Sequence, residues 1–226
     1  MCGRFTLIVT LDELMLHYHI QTSRFPQYGP KYNVAPGQMV MTVIHDGVQN
    51  RMGELRWGLI PEWAKEEKVG FQMLNARAES LTEKPAFKKP FQRKRCLIPA
   101  DSFYEWKGTG KNKQPMRILL KNQEVFSLAG LYDTWTSPDG HAISTFTIIT
   151  TTPNDLVADI HDRMPVIIRK EDEAAWLDRN HTQTEQLSLL LKPYPAEEMY
   201  AYPVASRVGN VRHDDEQCIE EIRLLL

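Results

Sequence analysis

Cysteine at position 2, in Met1-Cys2-Gly3-Arg4, has the most chemistry to offer. A residue this small after the initiator lets methionine aminopeptidase remove Met1, which leaves Cys2 as the chain terminus and makes it a 1,2-aminothiol. An α-amine titrates near ~7.7 to 8.0 and a thiol near ~8.5, so on the order of a tenth of the amine is nucleophilic at neutral pH. The electrophile that suits this pair is an aldehyde. The amine condenses with it to a Schiff base, and the thiol closes on that imine to give a five-membered thiazolidine. A cysteine here also fits a plain buried small residue, so the assignment depends on its surroundings.

Three polar residues interrupt segments that otherwise read as core. Asn75 lies in Leu74-Asn75-Ala76-Arg77-Ala78-Glu79, Glu105 in Phe103-Tyr104-Glu105-Trp106, and His161 in Ile160-His161-Asp162-Arg163. A glutamate among aromatics has its pKa raised toward the range useful for proton transfer. Strand alternation equally allows Glu105 to point outward while Tyr104 and Trp106 point in, and His161 fits a helix C-terminal residue beside backbone carbonyls.

Arg4, Arg77 and Arg163 have the chemistry to hold phosphates, and Trp57, Trp63 and Trp106 offer flat faces for unpaired bases. Net charge is −2, which does not favour nucleic acid globally, but its distribution is uneven. From Lys84 to Lys121 there are eleven lysines and arginines against two acids, Asp101 and Glu105, while Asp214, Asp215, Glu216, Glu220 and Glu221 make the end acidic. A basic face for a polyanion is one reading and solvated lysines on loops is the other. No Walker loop, dinucleotide fingerprint, H-E-x-x-H or G-x-S-x-G is present. The histidines are scattered and the cysteines, Cys2, Cys96 and Cys218, are far apart, so neither a metal, a cofactor nor a disulfide framework is expected.

The elements that must position these groups read as mostly antiparallel β. Thr10 and Glu13 have capping-box spacing ahead of a short helix. Pro26, Pro30, Pro36 and Gly37 make residues 21–38 a long loop. Strands are expected at Met39–Ile44 and Asn50–Trp57 around the Asp46-Gly47 turn, and at Met116–Leu120. Two more, Glu124–Thr134 and Ser144–Thr151, are joined through Asp139-Gly140. Thr152-Pro153 signals a helix running toward Ile160, followed by a strand at Met164–Ile168 and helices near Glu171–Asp178 and Thr184–Leu191. At 226 residues, with 42% hydrophobic and 25% charged, the chain reads as one α+β domain over 1–226, a largely antiparallel, barrel-like β core with peripheral helices. No apolar run spans a bilayer and none reads as a secretory signal, so a cytoplasmic protein is expected, and a monomeric one, because no long apolar helix or heptad demands a partner.

Eight segments together resemble one family, the SOS-response-associated peptidases, also called abasic-site-processing proteins. They are Met1–Phe5, Tyr32–Gly37, Trp57–Pro61, Asn75–Glu79, Cys96–Ala100, Phe103–Lys107, Ile160–Pro165 and Pro203–Arg207, in the family's order over nearly the whole chain. The resemblance implies a sensor of abasic sites in single-stranded DNA that crosslinks to them through a thiazolidine at Cys2, shielding the lesion, nucleoid-associated when bound. It puts Asn75, Glu105 and His161 at the active-site positions around Cys2. His161 would move the proton that opens the deoxyribose, Glu105 would act at the imine, and Asn75 would hold the terminus or sugar. Arg4, Arg77 and Arg163 would grip flanking phosphates, with Trp63, Trp106 and the Asn33–Pro36 loop near the DNA. The family name adds a peptidase activity, whose nearest chemical event is removal of Met1, and an imine at an abasic site also permits β-elimination.

Two competing readings remain at this stage. An N-terminal-nucleophile amidohydrolase also matures to Cys followed by Gly, but would need an oxyanion hole and a glutamine pocket. A noncatalytic single-strand-binding module would keep salt-sensitive affinity and form no covalent product.

Overall fold

The computed structural model describes residues 2–21, 28–110 and 113–223. The chain runs through β1 (Phe5–Leu7), α1 (Leu11–His17), β2 (Lys31–Val34), β3 (Met39–His45), β4 (Asn50–Trp57) and β5 (Asn75–Arg77). Next come α2 (Pro85–Arg93), β6 (Arg95–Ala100), β7 (Ser102–Lys107), β8 (Gln114–Leu120), β9 (Phe126–Thr136) and β10 (Ala142–Thr151). The last third holds α3 (Asp155–Ala158), β11 (Met164–Pro165), β12 (Ile167–Ile168), α4 (Glu173–Leu177), α5 (Thr184–Ser188) and β13 (Met199–Pro203).

Strands β10, β4, β3, β6 and β9 pair in sequence, and β9 returns to β10, so the ring closes into a barrel. All of these pairings are antiparallel except β10 with β4. Closure removes the sheet edge and with it a row of unpaired backbone groups. A second sheet, in the order β13-β8-β7-β1-β2, packs beside the barrel. The α+β, barrel-cored class expected from the sequence is therefore the class observed.

Alternation sorts the core. Along β6, Cys96 and Ile98 belong to the apolar cluster shared with the second sheet, while Leu97 belongs to the cluster under α2 and α4. Both faces of β6 are buried, which is why Arg95–Ala100 is apolar almost throughout instead of alternating. Gly130 on β9 makes this possible, because a Cβ there would collide with Ile98 Cδ1 and meet Cys96 Sγ at 2.9 Å.

Three expectations are corrected. Residues 21–38 are not all loop: β2 forms between Pro30 and Pro36, where β1 supplies a partner through Phe5 opposite Val34 and Leu7 opposite Lys31. Pro26 lies outside the described residues. The helix after β10 is capped by Asn154, whose side chain accepts from Val157 N at 2.9 Å, so it starts later than the Thr152-Pro153 signal. The single strand at Met164–Ile168 is two, because Val166 turns its N–H to Ile149 on β10 and its carbonyl to Ala129 on β9. The capping box of α1 is present in both directions, with Glu13 N donating to Thr10 Oγ1 at 3.2 Å and Thr10 N to Glu13 Oε2 at 2.6 Å. Among the described residues no helix is long and apolar enough to cross a membrane.

Candidate active site

Cys2 enters the molecule just ahead of β1, which is clamped between β2 and β7. Phe5 pairs with Phe103 and Tyr104 N donates to Arg4 O at 3.0 Å, so the chain from Cys2 to Phe5 lies along β7 near Glu105. Cys2 is fully buried, in the cluster that joins the second sheet to the barrel. In the same cluster Phe5 packs tilted on Trp57 at 5.3 Å and Trp57 stacks on Phe146 at 6.2 Å, tying β1 to β4 and β10. Trp57 Nε1 donates to Leu74 O at 2.9 Å, and Ile148 N donates to the same carbonyl at 3.2 Å. Those two bonds fix the start of β5 and with it Asn75.

Asn75 Nδ2 then donates to the Cys2 carbonyl at 3.0 Å. Glu105 shares a face of β7 with Phe103 and is only 2% exposed, so it points into the cluster that holds Cys2. Tyr104 and Trp106 are also covered, by a small cluster with Val204, Val208 and Cys218. Both faces of β7 are occupied, and the outward-pointing reading of Glu105 does not hold.

His161 follows α3, with its own N–H on Val157 O at 2.8 Å. Its Nδ1 accepts from Arg163 N at 3.0 Å, which leaves the proton of the neutral ring on Nε2. Nε2 faces Glu105 Oε2 at 3.8 Å. The Asp162 carboxylate lies 2.9 Å from Nδ1. The structure thus brings together all four residues singled out as catalytic candidates.

Burial shapes their acidities. The Glu105 carboxyl is pushed above the ordinary carboxylate range by loss of water, with nearby His161 pulling the other way. The Cys2 thiol is pushed well up, first by burial and then by the charge of Glu105. A thiol held protonated beside a carboxyl of raised pKa suits proton exchange between the two.

The expected DNA contacts divide. Arg77 and Trp63 are exposed, Trp63 at 59%. Arg163 is clamped by Glu79 through two bonds of 2.8 and 2.9 Å and also donates to Thr150 O at 2.6 Å. Arg4 donates to Asn33 Oδ1 at 3.0 Å, Val208 O at 2.6 Å and Gly209 O at 3.1 Å. Asn33 is buried and donates through Nδ2 to the carbonyls of Val208, Asn210 and His213 at 3.1, 3.2 and 2.7 Å. Trp106 is half-buried. Two further residues emerge from the structure. Glu79 positions Arg163, and its place in the Asn75–Glu79 segment was the available signal. Phe71, 71% exposed, had none. It directly follows an excursion that carries Trp63 and is closed by Gly58 and Gly70, where a Cβ on Gly58 would meet Gly70 O at 2.8 Å. Among the described residues no group of His, Cys, Asp or Glu converges to hold a metal ion.

Comparison with known proteins gives one consistent result. The family model described as SOS response associated peptidase (SRAP) matches residues 1–211. The abasic site processing protein YoqW of Bacillus subtilis (strain 168) is 53% identical over 222 residues, covering 97% of this chain and 99% of that protein. The abasic site processing protein HMCES of Gallus gallus is 32% identical over 231 residues, covering 88% of this chain and 68% of that protein. A solved structure from Bacteroides thetaiotaomicron superposes with a TM-score of 0.89 at 28% identity, covering 98% of this chain and all of that one.

Proposed function

Because the chain belongs to the SOS response associated peptidase (SRAP) family, we propose that it processes abasic sites in single-stranded DNA by capturing them covalently through Cys2. Removal of Met1, which lies outside the described residues, would make Cys2 the N-terminus. The observation that carries this reading is the Cys2 carbonyl held by Asn75 at 3.0 Å beside buried Glu105, which half-buried His161 faces at 3.8 Å. The relatives' naming as abasic site processing proteins supports the substrate.

The geometry supports the following chemistry. An abasic deoxyribose rests as a closed hemiacetal, and opening it moves the anomeric hydroxyl proton to the ring oxygen. His161, with Nε2–H on the reactive side, is the shuttle for that proton. The Cys2 amine adds to the aldehyde carbon to form a carbinolamine. A protonated Glu105, favoured by burial, gives its proton to the departing hydroxyl, which leaves as water, and the resulting carboxylate takes the nitrogen-bound proton to yield the neutral imine. The Cys2 sulfur then bonds to the imine carbon, and the thiol proton passes through Glu105 to the nitrogen. One water is lost overall and the product is a thiazolidine. Asn75 keeps the terminus from swinging out of line. β-Elimination from the imine, a lyase side reaction, and loss of Met1, the peptidase-like event, belong to the same proposal.

Intact-mass spectrometry before and after incubation with an abasic single-stranded oligonucleotide is the direct test. The expected result is a chain lacking Met1 that gains the oligonucleotide mass less one water, and a Cys2→Ala variant that gains nothing. An adduct on Cys2→Ala would overturn the thiazolidine.

A further inference from the structure

Helix α2 stands apart in charge from the other helices described. Its sequence Pro-Ala-Phe-Lys-Lys-Pro-Phe-Gln-Arg contains no acid, whereas α1, α3, α4 and α5 each carry at least one. Ala86, Phe87, Pro90 and Phe91 are buried, which turns Lys88, Lys89 and Arg93 to solvent with Lys84 at the helix start. Lys89 is neutralised by Glu62 at 2.5 Å, but among the described residues no ion pair engages Lys84, Lys88 or Arg93.

Its location matters as much as its charge. Upstream, α2 is linked through Glu79 and Arg77 to β5, whose first residue, Asn75, holds Cys2. The Lys89–Glu62 pair sets the middle of α2 against the turn that exposes Trp63. Nine helical residues extend about 14 Å, enough to track a few backbone phosphates of a single strand. Cations spread over one exposed side with a bare aromatic face beside them is the pattern that holds an unpaired strand by its backbone while stacking a base.

We propose that the outer face of α2, continued by Trp63, is a second nucleic-acid contact that carries the single strand leading away from Cys2, regardless of its sequence. This rests on the single-stranded-DNA reading above and adds a location to it. The contact serves the strand beyond the reacting nucleotide, so it acts on how long DNA is retained and leaves the bond-forming step to the residues around Cys2.

The test uses undamaged single-stranded oligonucleotides of about six and about twenty nucleotides, so that no covalent product intervenes. Lys84→Gln, Lys88→Gln and Arg93→Gln are combined, since glutamine keeps the helix, and an unchanged melting temperature verifies the fold. The expected result is that the plot of log affinity against log salt for the longer strand becomes shallower by about 2, three phosphate contacts at ~0.7 each, with a much smaller change for the shorter one. Trp63→Ala should weaken binding of the longer strand about fivefold or more at an unchanged slope. A triple variant with the wild-type slope on the longer strand overturns the proposal. Failure of the covalent reading would show separately, as wild-type protein that binds these strands yet forms no adduct with abasic DNA.

Discussion

In the proposed mechanism Glu105 answers two demands that pull against each other: it must be dry enough for burial to favour its protonated form and close enough to Cys2 to pass the proton on. Burial raises its pKa above the unfolded value, so its contribution to stability is complete below the ordinary carboxylate range and is lost as pH rises through the folded value. At neutral pH, above the unfolded value, the wild type bears the cost of that raised pKa. Glu105→Gln should therefore unfold at a higher temperature at neutral pH, by about 2–4 °C for each kcal/mol regained, with the gap closing below the carboxylate range. The same variant should form adduct about 10²- to 10⁴-fold more slowly, the usual loss of a general acid–base group. Thermal melts across pH and a time course of adduct formation check the two halves. A variant that is neither more stable nor slower would leave Glu105 without the role assigned to it. The sequence showed that Glu105 sat among aromatics but not which way it faced, because alternation assumes one wet face and β7 has none.

At the scale of elements, the segment after β13 acts as a strap. Val208 and Cys218 pack on Tyr104, Asp214 Oδ1 accepts from Tyr32 N at 2.6 Å and Asn33 N at 3.0 Å, and Arg4 and Asn33 reach the strap's carbonyls. Arg4 sits two residues after Cys2, so we place it with Asn33 among the residues that position the terminus. Arg4→Ala should cost about 1–3 kcal/mol in a urea titration, since it strands acceptors that are out of water, and should leave the salt slope of DNA binding unchanged. A slope shallower by about 0.7 would instead put Arg4 on a phosphate. Elements carried by local signals were legible: the hairpin about Asp46-Gly47, the capping box of α1, and β10. Those that depend on distant partners were not. β2 exists because β1 pairs with it between two prolines. α2 was hidden by Pro90, whose missing N–H leaves one helical bond unmade while burial of Phe87 and Phe91 offsets the loss.

Across the whole molecule the site lies where two sheets meet, and this makes core packing and reactivity separable. Cys2, just ahead of β1, and Glu105, on β7, come with the second sheet, whereas Asn75 is brought in by β5, paired through Ile148 to β10 of the barrel, and His161 by α3 packed on the shared cluster. The Phe5–Trp57–Phe146 stack spans that junction. Trp176, equally buried, lies in the other cluster, under β6, with Nε1 on Cys96 O at 2.9 Å. Truncating either aromatic should cost about 3–5 kcal/mol. Their effects on chemistry should differ. At a temperature where both variants remain folded, Phe146→Ala should slow adduct formation about 10²-fold, because a displacement of about 1 Å between nucleophile and acid–base groups costs that much. Trp176→Ala should react near the wild-type rate per folded molecule. Urea titrations matched with single-turnover adduct kinetics make the comparison. Equal slowing in both variants would mean that the barrel transmits any loosening to the N-terminus and that the junction is no more than part of one uniform core.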